Sequence, residues 1–309
     1  MRKAVLIINP QSGKTKKLKD YTGFYDTLRK YGYDLTIKFT KKHGHATEIV
    51  KELPNDIDLV ISAGGDGTLN EVVSGNTERE KRLIIANLPM GSTNDVGNMY
   101  GLNKGLYENL ETILKGKPRK LDVVYINDRP FVYVACLGDY IDIAYNTPRR
   151  LKKRFGKLGY VIYALRQVFN PINIYDIKYK VDGKEYIGCY SFIFISNSSR
   201  IAGMPDVYYD VKLDDNKFEV AMATVKSKRD MLRMLMLITT IDVKDIPGIT
   251  YYQTNDFEIE FLSKLKTSWC IDGEEYEDNG PKFKFRIDKK TKMMMPREIL
   301  GELVEEEED

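Results

Sequence analysis

The sequence predicts two regions: an α/β N-terminal region built on a parallel sheet, and a mainly β C-terminal region forming a sandwich or flattened barrel. Three observations carry that expectation. Up to about residue 120, short apolar runs alternate with helical patterns; beyond it the pattern changes to stretches of period two; and in the first region three polar, glycine-containing segments each follow an apolar run. At 309 residues the chain exceeds the usual size of one domain, and the boundaries fall at 1–120 and 121–290, with a C-terminal segment at 291–309.

Along the first region, "KAVLIIN" reads as a strand, "KLKDYTGFYDTLRKYG" as a helix and "YDLTIKF" as a strand. A helix over "GHATEIVKEL", a strand over "IDLVISAG", a helix over "TLNEVVSG" and a strand over "RLIIANLP" continue the alternation. Apolar runs of this length between helical patterns imply a parallel sheet covered on both faces. Ligands of such sheets bind beyond the carboxyl ends of the strands. The segments "NPQSGK" (9–14), "GGDGT" (64–68) and "MGSTND" (90–95) all lie at such ends, and their convergence says more than any one motif.

In the second region "RPFVYVACLG", "NIYDIKYKVDG", "CYSFIFISNS", "NKFEVAMATV", "DFEIEFL" and "KFKFRID" read as strands. Asp182-Gly183 and Asn279-Gly280 mark turns between them. Two helical patterns interrupt the strands, at 149–169 and at 229–240, the latter a stripe of Met and Leu read as core packing.

Composition narrows the function classes. The net charge of +3 is too small to argue for a nucleic-acid partner, although basic residues crowd the stretch from Arg149 to Lys157 and the chain closes on "EEEED", read as a solvated, poorly ordered end. With 42% hydrophobic residues and no apolar run near the roughly 18 to 20 needed to span a bilayer, a soluble, cytoplasmic protein is expected. "MRKAVLIINP" is read as a first strand rather than a signal peptide. Cys136, Cys189 and Cys270 are read as buried thiols of a reducing compartment.

The loops suggest phosphate chemistry. Gly64, Gly65 and Gly67 leave backbone amides open to a ligand, and the loop leads directly into a helix N-terminus. In "INPQSGK", Asn9, Ser12, Gly13 and Lys14 sit between a strand and a helix, without the Walker A spacing. A carboxylate such as Asp66 inside a phosphate loop repels the ligand unless it holds Mg²⁺, takes a proton from an attacking hydroxyl, or bonds a neighbouring donor. The plainer reading is that Asp66 caps the helix at Thr68.

"INPQSGK", "GGDGTLNEVVSG" and "PMGSTND", in this order, resemble the catalytic domain of the bacterial diacylglycerol kinase family of lipid kinases, relatives of sphingosine kinases and more distantly of NAD kinases. "AGMPD", "KLDDNKF" and "IDGEE" extend the resemblance over nearly the whole chain. It implies an ATP site lined by the loop from Asn9 and Pro10 through Ser12 and Gly13 to Lys14, by Thr40, by Gly64, Gly65, Gly67, Thr68, Asn70 and Glu71, and by Gly91, Ser92, Thr93 and Asn94. It further implies that Asp66 and Asp95 manage Mg-ATP and the reacting hydroxyl and that Glu274 is the general base. Related kinases place that role on the aspartate of "GGDGT", so Asp66 and Glu274 both stand as candidates. Without the family, "IDGEE" reads as a hairpin turn with acidic flanks.

The resemblance also implies a structural Mg²⁺ held by Asp215 with the carbonyls of Lys212 and Lys217. Here Asn216 replaces the family's glycine, and asparagine tolerates the left-handed backbone such a turn needs. "HGHA" (43–46), with the only two histidines, resembles the family's helix start and lacks a third nitrogen or sulfur ligand for a metal.

The basic stretch from Arg149 to Lys157, followed by an apolar and aromatic run, fits an anionic membrane surface where a lipid substrate would be met, with a solvated face or a homodimer contact as the other readings. The expected function is transfer of the γ-phosphate of ATP to a lipid hydroxyl, diacylglycerol first. Undecaprenol or a sphingoid base as acceptor, a soluble NAD kinase-type enzyme, and a non-catalytic nucleotide-binding regulator at the membrane are the alternatives.

Overall fold

The computed structural model describes the chain except residues 14, 16, 17, 19, 140–171, 202, 203, 205, 206, 239, 279 and 306–309. The expectations for Lys14, for the basic stretch from Arg149 to Lys157, for the Asn279 turn position and for most of "AGMPD" fall outside the described residues.

The first region contains β1 (Arg2–Ile8), α1 (Thr22–Lys30), β2 (Tyr33–Phe39), α2 (His45–Lys51), β3 (Leu59–Gly64), α3 (Asp66–Thr77), β4 (Ile84–Pro89), α4 (Asp95–Met99) and α5 (Leu106–Leu114). The strands pair in the order β2-β1-β3-β4, all parallel. Every residue of β3 is buried, so both faces of the sheet are covered there, which is why β3 and β4 read as mostly apolar runs, while the edge strand β2 keeps exposed polar positions. Phe24 and Leu28, one turn apart on α1, are buried, while Arg29 and Lys30 close its last turn, where cations favour the helix dipole.

The second region contains β5 (Lys117–Ile126), β6 (Arg129–Phe131), β7 (Val134–Gly138), β8 (Tyr175–Val181), β9 (Lys184–Tyr190), β10 (Phe192–Ser196), β11 (Phe218–Ala223), α6 (Lys228–Ile238), β12 (Ile249–Thr254), β13 (Asp256–Phe261), β14 (Trp269–Ile271), β15 (Glu274–Tyr276), β16 (Lys282–Met295) and a short α7 (Leu300–Leu303). A six-stranded sheet, β12-β11-β10-β7-β14-β15, packs on the β16-β13-β8-β9 part of a ten-stranded sheet. The apolar layer between them is the core of a sandwich, with Trp269 of one sheet 5.2 Å ring to ring from Phe285 of the other.

The long strand β16 joins the two regions. It pairs antiparallel with β13 and β5 and then, through Lys292 and Met293, parallel with β4. Residues 291–295 therefore continue the sheet, and Glu305 beyond them is tied by its N–H to Asp214 Oδ1 at 2.9 Å.

Three sequence expectations change. "RPFVYVACLG" is two strands, because Val132 and Tyr133 give their N–H groups to the Asp272 carboxylate instead of a neighbouring strand. The described side chains of the Met and Leu stripe on α6 lie at the rim: Leu237 and Ile238 pack partly against the core, and Met236 is 56% exposed. Of the cysteines, Cys189 is exposed on β9, whereas Cys136 and Cys270 are buried and face one another across β7 and β14.

Candidate active site

The three glycine-containing loops meet at the ends of β1, β3 and β4. Asn9 Nδ2 donates to Thr68 Oγ1 at 3.1 Å, and Gly91 N–H donates to Gly64 O at 3.0 Å. A methyl group on Gly91 would stand 2.5 Å from Gly65 Cα, so the second and third loops touch backbone to backbone. Gly13 faces Ser92 and Gly91, bringing the first loop onto the third. The approach of Gly91 to Gly65 requires glycine, and it brings the third loop against the start of α3.

Some expected nucleotide residues instead build the loops. Asn94, at φ 55, clasps Gly91 by accepting its N–H at 2.7 Å and donating to its carbonyl at 2.9 Å. Thr93 gives its carbonyl to Asn98 Nδ2, and Thr40 bonds back to the carbonyl of Ile8 at the end of β1. Glu71 accepts from the N–H groups of Gly44 and Ala46, capping α2. Asn70 points to the second region, donating to Asp272 Oδ2 at 2.7 Å and to Pro130 O at 3.2 Å. Pro10 and Ser12 stay at the loop surface, with Ser12 N–H bonded to Asn9 O.

Asp66 does not cap its own helix. Its carboxylate accepts from the N–H groups of Asp95, at 3.0 Å, and Val96, at 3.2 Å, and so caps α4. Asp95 is fully buried beside it. Burial pushes the Asp66 carboxyl up to about 6, with the Asp95 charge adding to the rise and the two N–H donors opposing it. Asp66 at the start of α3, with Asp95 buried beside it, offers hard carboxylate oxygens of the kind that Mg²⁺ on a triphosphate takes.

Glu274 reaches this place from the other region. Asp272 and Gly273, at φ 49 and 86, form the two-residue turn between β14 and β15. The Asp272 carboxylate is buried and accepts from the N–H groups of Val132, Tyr133 and Val134 and from Asn70, fixing the turn against α3. Burial raises the Asp272 carboxyl, and those four donors hold it down. The turn delivers Glu274 Oε1 to Gly67, where a methyl group would come within 2.9 Å of it. Burial raises the Glu274 carboxyl, opposed by the charges of His43 and Arg129. Its neighbours stand off, with His43 Nδ1 3.7 Å from Oε1 and Arg129 3.7 Å from Oε2.

The Asp215 turn is a separate place. Asn216 takes the left-handed backbone, φ 60, and Asp215 Oδ1 accepts from Lys217 N–H at 3.0 Å. Among the described residues no group of three or more His, Cys, Asp and Glu side chains gathers as a metal cage. One carboxylate with main-chain carbonyls is still an all-oxygen set of the kind Mg²⁺ accepts with water. The Lys212 ammonium is turned away to Gly301 O and Glu302 O.

Sequence reasoning missed Arg129 and Asp122. Asp122, buried on β5, accepts from Asn216 N–H at 2.6 Å and lies 3.1 Å from the Lys290 ammonium. Only its place in the mostly apolar "KLDVVYIN" run hinted at it. Arg129 had no local signal, whereas His43 stood in the "HGHA" segment, read as a helix start.

A parallel α/β sheet with three converging glycine loops, joined to a β sandwich that lends a carboxylate to those loops, defines a two-region protein of the nucleotide-dependent phosphotransferase class. Residues 3–126 match the family described as diacylglycerol kinase catalytic domain. It is 28% identical over 302 residues to proteins of Staphylococcus aureus strains RF122 / ET3-1 and MRSA252 named diacylglycerol kinase, covering 97% of this chain and 95% of theirs. A crystal structure of a diacylglycerol kinase from Bacillus anthracis str. Sterne superposes with a TM-score of 0.75 at 24% identity, covering 96% of this chain and 98% of that one. A second structure from the same organism reaches 0.80 at 24% identity over 96% of each chain, which establishes the fold. No described helix is long and apolar enough to cross a membrane.

Proposed function

We propose that this protein transfers the γ-phosphate of ATP to a lipid hydroxyl, with diacylglycerol the first acceptor and phosphatidic acid the product. The observation that carries the reading is the seat of Glu274 Oε1 on Gly67: a carboxylate from the sandwich rests on the glycine loop of the nucleotide region. An acceptor lying between the regions meets a base and a phosphate donor at one point.

The geometry favours Glu274 over Asp66 as that base. Both Asp66 oxygens already accept backbone N–H groups, whereas Glu274 stands 3.7 Å from both His43 and Arg129 and is 37% exposed. Glu274 takes the proton as the acceptor oxygen bonds to the γ-phosphorus and the bond to the ADP oxygen breaks. Asp66 and Asp95 would hold Mg²⁺, which neutralises charge on the phosphates when bound. The names of the Staphylococcus aureus relatives support diacylglycerol at the level of the family. The membrane would be met peripherally, through the basic stretch from Arg149 to Lys157.

The test is transfer of label from γ-labelled ATP with Mg²⁺, offering diacylglycerol, undecaprenol, sphingosine and ceramide in mixed micelles and NAD in plain buffer. Labelled phosphatidic acid is the expected product. Label on another lipid, or on NAD alone, would replace the acceptor, and label on none would overturn the reading.

A further inference from the structure

The HGHA segment holds the only two histidines of the chain, and the fold uses them differently. His45 accepts the N–H of Lys41 at Nδ1, 3.0 Å, and so belongs to the local turn. His43, two residues earlier, leaves its own region and reaches the candidate base. Its Nδ1 lies 3.7 Å from Glu274 Oε1 and 3.4 Å from Glu71 Oε1, while the rest of the ring is open, with the side chain 72% exposed. The loop beneath it is fixed, because Glu71 accepts the N–H groups of Gly44 and Ala46 and its carbonyl accepts from Thr47 Oγ1 at 2.8 Å.

The groups around Glu274 differ in what they can do with a proton. Arg129, 3.7 Å from the other oxygen, has no acceptor and does not give up its charge. The Asp272 carboxylate is committed to four donors, and that of Glu71 to two. His43 alone among these neighbours offers a ring with one nitrogen at the carboxyl group and the other toward water.

We propose that His43 is the proton relay that discharges Glu274 after each transfer, an inference that rests on Glu274 being the base. The acceptor hydroxyl gives its proton to Glu274 as the new oxygen–phosphorus bond forms and the bond to ADP breaks. Once the exposed ring closes the 3.7 Å gap, the carboxyl group passes that proton from Oε1 to Nδ1 of neutral His43 as Nε2 gives its own proton to water, and exchange with solvent returns the ring to the Nε2–H form. Glu274 returns to the carboxylate for the next acceptor, and no proton is gained or lost across the cycle except to solvent. His43 acts through Glu274 and does not itself touch the substrates.

The experiment compares the full-length wild type with His43→Ala, His43→Gln and Glu274→Gln, using the lipid acceptor that the transfer assay establishes, at low buffer and with rising imidazole. His43→Ala is expected to lower kcat on the order of 10-fold to 100-fold with the KM for ATP unchanged, and added imidazole should restore much of the loss. His43→Gln, which keeps a polar side chain without a proton-carrying ring, should show the same deficit. Wild-type kcat in His43→Gln, or a deficit in His43→Ala that imidazole leaves untouched, would refute the relay. Glu274→Gln separates the two layers: its loss of turnover without imidazole rescue supports the base, whereas normal turnover would remove the base and the relay together. An inactive Glu274→Gln beside a fully active His43→Ala would remove the relay alone.

Discussion

Replacing Gly67 by alanine separates catalysis from folding at one atom. The new methyl group would stand 2.9 Å from Glu274 Oε1, about half an ångström inside ordinary contact, and the next atom, Glu274 Cδ, lies at 3.5 Å. Everything it meets is the far end of one flexible side chain, so Glu274 swings aside at little cost to the fold. Gly67 is also the second residue of α3, where alanine is the better helix former by up to about 1 kcal/mol. Stability to urea should therefore stay level or rise. Catalysis should not, because a misplacement of about 1 Å costs on the order of 100-fold, and half that displacement corresponds to roughly 10-fold in kcat. The assay is labelled phosphate transfer with a parallel ATP titration. A fall in kcat with unchanged ATP affinity supports a displaced base, and a fall confined to ATP affinity would mean that the methyl group blocks only the phosphates. Wild-type kcat and ATP affinity together would refute the placement of Glu274. Gly91→Ala is the contrast: its methyl group would press on Gly65 Cα at 2.5 Å, backbone that cannot swing, and the variant should lose stability.

Asp66→Asn should cost orders of magnitude in turnover and should change the pH dependence of stability. The Asp66 carboxyl is raised from 3.8 to about 6, so the native state holds the extra proton between those values and the wild type loses stability as pH climbs through that window. The penalty is full above pH 6 and absent below pH 3.8, so urea unfolding of the ligand-free proteins should show the variant's relative stability higher at pH 7 than at pH 4 by on the order of 3 kcal/mol; a flat difference would contradict the assigned shift. Asn70→Ala removes a donor from buried Asp272 and from Pro130 O and should destabilise by about 2 to 3 kcal/mol in the same measurement. Asn216→Ala, forced to φ 60, should cost about 1 to 2 kcal/mol, while Asn216→Gly should be close to neutral; equal stability of the two would remove the strain argument.

What could be read in the sequence was local. The runs of β1, β3 and β4 are mostly apolar because the sheet is covered on both faces, and each loop follows its strand directly, so the fold class and the convergence of Asn9, Gly65, Asp66 and Gly91 were visible as pattern. The break at Val132 and Tyr133 was not, since it exists to serve Asp272, which lies far along the chain. The same holds for His43 and Arg129, which acquire meaning only when the β14–β15 turn sets Glu274 between them. The pairing of Cys136 with Cys270 followed the same rule: each looked like a solitary thiol until strand order placed them opposite one another.

The spacing of "GGDGT" also acquires a fuller cause. Read alone, its glycines clear space for phosphate. In the fold each also answers to a protein neighbour: Gly64 to the Thr68 side chain, Gly65 to the backbone of Gly91, and Gly67 to Glu274. Asp66, between the last two, is turned to the start of α4 by the N–H groups of Asp95 and Val96. The loop thus fixes the third loop on one side and admits the sandwich carboxylate on the other. A substitution that disturbs the Asp272 anchor, far from the nucleotide region in sequence, should therefore lower phosphate transfer while leaving ATP bound, because what it moves is Glu274 and not the amides.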